Sequence, residues 1–253
     1  MDVDFDFCDP NEADFWAVKL SLAHYIETNE YDSGSVADTI CEQHGIGSVV
    51  KANSQVVGYI SALNLHAEGI PGLDSIKKYM RKKARKVSPS EPELQDLMDD
   101  PSRPLGLLLN YRLPNAPDQL APPLHKTIFD ELAEVAAEEP EFGFENIVLM
   151  TRSYVKRADA ATLDPDVPRA KRRKRLEDMF VPFYPEEDAY FKHATTRYDF
   201  RVLDDSVEGK LTLDAVIDVY GHILIIPASA IPTIVSDMET LITQALESQV
   251  ETW

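Results

Sequence analysis

Stretches with strand character alternate with helix patterns along these 253 residues, which predicts a three-layer α/β domain: one mixed sheet with helices on both faces. Three observations carry that expectation. PLGLLLNYRL, ENIVLMTRSYV and GHILIIP are nearly continuous apolar runs, as strands covered on both faces must be. Asp118 to Glu139 places Leu120, Leu124, Ile128, Leu132 and Val135 on one helical face and acids on the other, and a last helix does the same with Ile231, Ile234, Met238 and Leu241. Apolar residues make up 44% of the chain, enough for a real core.

The remaining elements follow in order. VDFDF alternates Val3, Phe5 and Phe7 with aspartates, a half-buried strand. DPNE then supplies Asp9 as an N-cap, Pro10 at the first helical position and Glu12 three residues after the cap, opening a helix that buries Phe15, Val18, Leu22 and Ile26. A second short helix runs from Ser35 as cap to Gly45 as stop. SVVKANSQVVGYISALNL reads as two strands turning near Asn53-Ser54. Ile70 to Arg85 is helical in pattern and ends in bases, and VSPSEPELQDLMDD gives a loop and a short acidic helix. Residues 156–177 show no periodicity and read as a flexible basic insertion in a single domain spanning 1–253. PEEDAYFKHA is a short helix started by Pro185, and TRYDFRVL a strand. The acids Glu186 and Glu187 fall in that helix's first turn, where they complement the helix dipole.

Charge is unevenly spread. The net charge is −19, yet Ile76 to Lys86 holds seven bases and Arg169 to Arg175 six, with no acid in either window. The other 12 bases face 44 acids, a net charge of −32. Such a surface repels nucleic-acid phosphates and attracts basic proteins. No apolar run is long enough to span a membrane, and the acidic opening has no secretory signal pattern. Two cysteines, Cys8 and Cys41, make neither a disulfide framework nor a zinc site and fit a reducing, intracellular compartment.

Motifs for chemistry are missing. The six histidines have no metal-ligand spacing, and there is no P-loop, dinucleotide fingerprint or nucleophile elbow. EQHGIGS (Glu42 to Ser48) resembles the pyrophosphate loop of GNAT-type acetyltransferases. However, it opens on an acid and follows a helix, whereas a phosphate loop follows a strand and points amides from a helix N-terminus. A glycine helix stop accounts for it. No catalytic, cofactor-binding or metal-ligating residue is assigned. LNYRLPNAPDQLAPPLHK carries Arg112 at a strand end and four prolines before the next helix, which fixes the path of the chain.

GLLLNYRLPNAPDQLAPPLHKTIFDEL (Gly106 to Leu132) resembles the signature of the BCCIP family. VDFDFCDPNEADFWAVK is similar to that family's start, including Asp4, Phe5, Asp9, Pro10, Asp14 and Phe15. FYPEEDAYFKHA and GHILIIPAS match two later regions, with Tyr184 standing where a histidine is usual. The resemblance implies a GNAT-like fold that transfers no acetyl group, in a nuclear protein that shuttles to the cytoplasm. Its implied role is to escort a small basic protein of the large ribosomal subunit and to support biogenesis and export of that subunit. Fungal members also aid export of a phosphatidylinositol phosphate kinase, and animal members bind a recombination tumour suppressor and a cyclin-dependent kinase inhibitor.

On this reading Lys171, Arg172, Arg173, Lys174 and Arg175 form a nuclear localisation signal, taken in extended form by an import receptor. Glu91, Glu93, Asp96, Asp99 and Asp100, with Glu134, Glu138 and Glu139, are the candidate client-binding acids. The alternatives are a GNAT-type acyltransferase, or a nucleic-acid binder using the basic helix 77–86; direct DNA or membrane binding is not expected.

Overall fold

Asn53 and Ser54 take φ of 51° and 64°, the left-handed pair that a two-residue hairpin needs, and turn β2 (Ser48–Ala52) back into β3 (Gln55–Asn64). The computed structural model describes residues 4–28, 30–90, 92–163, 167–202 and 217–250. Its strands join in the order β1 (Phe5–Cys8), β2, β3, β4 (Leu105–Arg112), β5 (Asn146–Lys156), β8 (Ile217–Pro227), β7 (Thr196–Arg201). An eighth strand, β6 (Val181–Pro182), pairs with β5 off this path. Every pairing is antiparallel except β4 with β5, so the sheet is mixed, as the alternation predicts.

Helices cover both faces. On one lie α1 (Phe15–Leu22), α2 (Ser33–Glu42), α3 (Pro71–Val87) and α4 (Glu93–Asp99). They bury Val18, Ile40, Met80 and Leu97 against Leu107, Val148 and Ile223 of the sheet. On the other lie α5 (Ala121–Glu138), α8 (Glu187–His193) and α9 (Ile231–Val250). These pack Ile128, Tyr190 and Met238 against Leu108, Leu149 and Leu224. Alternate residues of β5 thus serve opposite cores, the period of two that forces both faces to be apolar.

Three local expectations are corrected. Asn11, not Asp9, caps the first turn: its side chain accepts from Ala13 N while Asp14 reaches back to Asn11 N, closing a capping box on a 3₁₀ turn ahead of α1. Asp32, not Ser35, caps α2, accepting from Gly34 N and Ser35 N. The supposed insertion contains α6 (Arg157–Ala160) and α7 (Arg169–Glu177), then β6. α7 has no apolar stripe, which is why periodicity misses it. Arg173 pairs with Glu177 one turn on, and Glu177 with Arg197 of β7, so charge rather than burial fastens its end.

Gly72, in the first turn of α3, crosses so close to α2 that a Cβ there would lie 2.1 Å from the Asp32 carbonyl oxygen. That oxygen belongs to backbone and cannot swing aside. Gly72→Ala is expected to cost about 2–3 kcal/mol, read as a lower denaturant midpoint with an unchanged m-value.

Candidate functional site

β4 and β5 pair over only four residues, from Leu105↔Asn146 to Leu108↔Leu149. Beyond that point they part, leaving Asn110 to Arg112 on one side and Met150 to Arg152 on the other. A cleft of about 550 Å³ opens in the gap and reaches both layers of the molecule. Tyrosines dominate its walls: Tyr25, Tyr59, Tyr79, Tyr111 and Tyr184. Tyr59 and Tyr111, cross-strand partners on β3 and β4, stack at 6.1 Å, and Tyr79 of α3 meets Phe200 of β7 edge-on at 6.0 Å.

The segment Phe183 to Glu187 bridges the far end of this gap. Phe183 N donates to Arg152 O of β5, while the Tyr184 hydroxyl donates to Arg112 O of β4 at 2.7 Å and accepts from Arg112 N. The Arg112 guanidinium, itself buried, sits over the Tyr184 ring and bonds both oxygens of Glu186, at 3.2 and 3.0 Å. It also holds Asp118 at 2.8 Å and the Ala116 carbonyl at 2.7 Å. Tyr184, given no role from sequence, is therefore the staple between the two parted strands.

The dipole-capping reading of Glu186 and Glu187 is corrected here. Both are 2% exposed. Glu186 is the buried counter-charge of Arg112. Glu187 points into the cleft and accepts from the Thr151 hydroxyl of β5. Burial pushes its carboxyl up to about 8; nearby Glu186 adds to this, and the bonds from Thr151 and Asn110 only partly oppose it. At neutral pH it is largely a protonated acid. No spacing rule marks a glutamate in a first helical turn as buried.

A second polar network crosses the neighbouring strands. Ser153 Oγ lies 2.7 Å from His222 Nε2, and His222 Nδ1 2.7 Å from Asp199 Oδ1, which also holds Arg197. Burial lowers the His222 pKa despite Asp199, so the ring is neutral, donating from Nδ1 and accepting the serine hydroxyl at Nε2. The order is that of a nucleophile relay, but Ser153 and His222 are 0% and 1% exposed beneath Phe180 and Phe191. The network ties β5, β8 and β7 together.

The charged segments behave differently from one another. In α3, Lys77 pairs with Asp74 and Arg81 with Asp99, while Lys83 bonds Glu27 at 3.0 Å and lies over Tyr79 and Phe200. Arg85 bonds Gln95. Much of the basic helix is thus spent inside the molecule, leaving Lys78, Lys82 and Lys86 facing solvent. The acids of α4 are drawn on in turn: Asp99 by Arg81, Glu93 by the Thr196 hydroxyl, and Asp100, just past the helix, by Ser102. Asp96 is exposed, and Glu91 lies outside the described residues.

Glu134, Glu138 and Glu139 are exposed on and just after α5, with no ion-pair partner among the described residues. Like charge is dense here: Glu131 has its pKa raised by burial and then by Asp9, Glu134 and Asp130. α4 and α5 lie on opposite faces of the sheet, so the candidate acids divide into two separate surfaces. Lys171 to Arg175 fall on α7, where the described side chains, those of Lys171, Arg173, Lys174 and Arg175, are exposed; the run is helical, not extended.

The loop Glu42 to Ser48 does not fit a phosphate. Gly47 N donates to the Glu131 carboxylate at 2.8 Å, so an acid already stands where an anion would bind. The strand-to-helix junction that borders the cleft, β4 into α5, has Pro122 and Pro123 in its first turn, where phosphate binding needs amide donors. Among the described residues no group of three or more His, Cys, Asp or Glu is placed to hold a metal ion, and no helix is long and apolar enough to cross a membrane.

The model of the family described as BCCIP matches residues 1–193. The chain belongs to the BCCIP family. Among BCCIP relatives, "Protein BCCIP homolog" of Arabidopsis thaliana is 32% identical over 165 residues, covering 61% of this chain and 50% of its own length. "Protein bcp1" of Schizosaccharomyces pombe is 30% identical over 203 residues, covering 76% of this chain and 71% of its own. The crystal structure of BCP1 from Saccharomyces cerevisiae shares the fold at a TM-score of 0.61 and 18% identity, over 98% of this chain and 93% of that one. Agmatine N-acetyltransferase also aligns, at a TM-score of 0.36 and 12% identity over 88% of this chain and 100% of that one. The BCCIP signature Gly106 to Leu132 spans β4 and the first two-thirds of α5, and FYPEEDAYFKHA spans the staple and α8: the two stretches that meet at Arg112–Glu186.

Because the folded Glu187 pKa lies above its unfolded value, the carboxyl favours the fold below about pH 4.5, and that contribution is lost as pH rises towards 8. Glu187→Gln, which mimics the neutral acid, is expected to gain little at pH 5 and on the order of 2–4 kcal/mol at pH 8.5, measured by denaturant unfolding at both pH values. Equal gains at the two pH values would contradict a raised pKa.

Proposed function

We propose that this BCCIP-family chain is a non-enzymatic nuclear escort that holds a basic protein of the large ribosomal subunit until ribosomal RNA displaces it. The exposed acids at the end of α5, without an ion-pair partner among the described residues, carry this reading: Glu134, Glu138 and Glu139 stand where carboxylates already crowd. Such a surface covers the bases with which a ribosomal protein would otherwise bind RNA, and rRNA, the denser polyanion, competes it away. A net charge of −32 outside the two basic windows extends the attraction over the surface. Membership of the BCCIP family supports a binding role over a catalytic one.

On this reading α5 contributes more than α4, whose acids are partly engaged by α3 and β7. Reversing Glu134, Glu138 and Glu139 to lysine is expected to weaken capture of a basic large-subunit protein about tenfold or more, with little change in unfolding midpoint. Reversal of Asp96, Asp99 and Asp100 should do less. Affinity of the parent chain should fall steeply between low and high salt; a complex indifferent to both salt and charge reversal would refute electrostatic capture.

The basic run on α7 is proposed as the import address. Nine residues with no buried side chain among those described form a helix that unwinds at little cost, so a receptor can take the run in extended form. Replacing Lys171 to Lys174 with alanine should leave the unfolding midpoint unchanged and move the protein to the cytoplasm, scored by fluorescence microscopy. Undiminished nuclear accumulation would place the address elsewhere. Export of the large subunit, and of a phosphatidylinositol phosphate kinase, completes the proposed role.

A further inference from the structure

The cleft of about 550 Å³ between β4 and β5 takes no part in the escort reading. Its cations are all committed. Arg112 is held by Glu186, Asp118 and the Ala116 carbonyl; at the rim, Arg152 donates to His24 O at 2.8 Å and lies 3.8 Å from Glu27. Its deep acid is not: Glu187 has a hydroxyl and an amide for partners and no ion pair among the described residues. The Tyr25 hydroxyl is buried in the same cleft with no hydrogen-bond partner among the described residues. Aromatic faces, an unpaired carboxyl and an unused hydroxyl acceptor are the complement of a cation that donates hydrogen bonds.

The chain itself supplies a worked case at the rim. The Lys83 ammonium stands 4.9 Å from the Tyr79 ring centre and 4.5 Å from that of Phe200, and bonds the Glu27 carboxylate at 3.0 Å. Tyr79, Phe200 and Glu27 all line the cleft. One alkylammonium group is therefore already seated between π faces and a carboxylate, and the same cleft lining offers that chemistry again with Tyr25, Tyr59 and Glu187. An anion would meet Glu187, Glu27 and Asp118, and among the described lining residues both arginines, Arg112 and Arg152, already have partners.

We propose that the cleft is a binding site for an unbranched primary alkylammonium group, with the Glu187 carboxylate as its counter-charge, the Tyr25 hydroxyl as a second acceptor and tyrosine rings as its walls. A volume of about 550 Å³ admits the side chain with some of its surroundings. Two sources share this chemistry: a lysine displayed by another protein, and a free polyamine. Binding is linked to a proton. The charged and titratable groups that face Glu187 are Arg112, Glu186, Tyr25, Tyr184 and Tyr190, and below pH 8 its carboxyl is protonated in the free chain. An incoming ammonium therefore expels that proton to solvent, and affinity rises from pH 6.5 to pH 8. The site uses none of the outer acids of α5, so it stands or falls apart from the escort reading.

The test is calorimetric titration of the whole chain with spermidine, with a capped lysine-containing peptide, and with the same peptide acetylated at Nε. At least one free amine is expected to bind one-to-one and to release close to one proton at pH 7, measured across buffers of different ionisation heat. Peptide binding alone assigns the site to a protein lysine; spermidine binding alone assigns it to a free polyamine. Glu187→Gln, which should fold at least as well as the parent, is expected to weaken binding about tenfold or more, and Tyr25→Phe by a smaller factor. The Glu134, Glu138 and Glu139 reversal should leave amine affinity unchanged. The proposal is overturned if neither amine binds at millimolar concentration, if the acetylated peptide binds equally well, or if Glu187→Gln leaves the affinity intact.

Discussion

The parting of β4 from β5 after four paired residues is the constraint on which the rest of the molecule depends. Parallel neighbours must ordinarily continue their ladder or expose backbone groups to the interior. Here β6 takes over part of the vacated edge of β5, at Ser153 and Tyr154. Between the two pairings the gap is spanned by side chains: the Tyr184 hydroxyl serves the backbone of Arg112, and Glu186 neutralises the guanidinium. Removing either partner would strand a buried charge, so this junction is held by mutual dependence more than by net attraction.

The same junction sets the chemistry of the cleft. Glu186 and Glu187 are adjacent in sequence and equally buried, yet they do different things. The first faces Arg112 and is paired. The second faces the gap, has only neutral partners, and holds its proton to about pH 8. Position relative to one arginine separates an ion-paired carboxylate from one that has only neutral hydrogen-bond partners.

Charge at the surface is organised by the sheet. The basic helix α3 and the acidic helix α4 share a face, where Arg81 and Asp99 neutralise each other and Arg85 hydrogen-bonds the neutral Gln95. Lys83 turns inward to an aromatic pair. On the opposite face Asp130 of α5 pairs with Lys126 one turn back, while Glu134, Glu138 and Glu139 have no ion-pair partner among the described residues. The whole-chain charge therefore understates how acidic one side of the molecule is, and a basic protein approaching it meets little compensating positive charge.

The apolar runs and the helical periodicities determined the layers, because burial on two faces leaves a continuous run and burial on one face a stripe. The apolar faces of α5 and α9 were legible for that reason. The turn at Asn53-Ser54 was legible from its turn residues, and the family from the resemblance of whole stretches such as Gly106 to Leu132. Caps were misjudged by a few residues where several candidates stood together, as at Asp9 and Asn11. α7 carried no periodic signal because it buries no stripe. What only the tertiary structure decided was which charged residues meet. Glu186 and Arg112 lie 74 positions apart, and Lys83 and Glu27 lie 56 apart. A carboxylate's role depends on its distance from a cation and from water, and neither distance is written in the order of the residues.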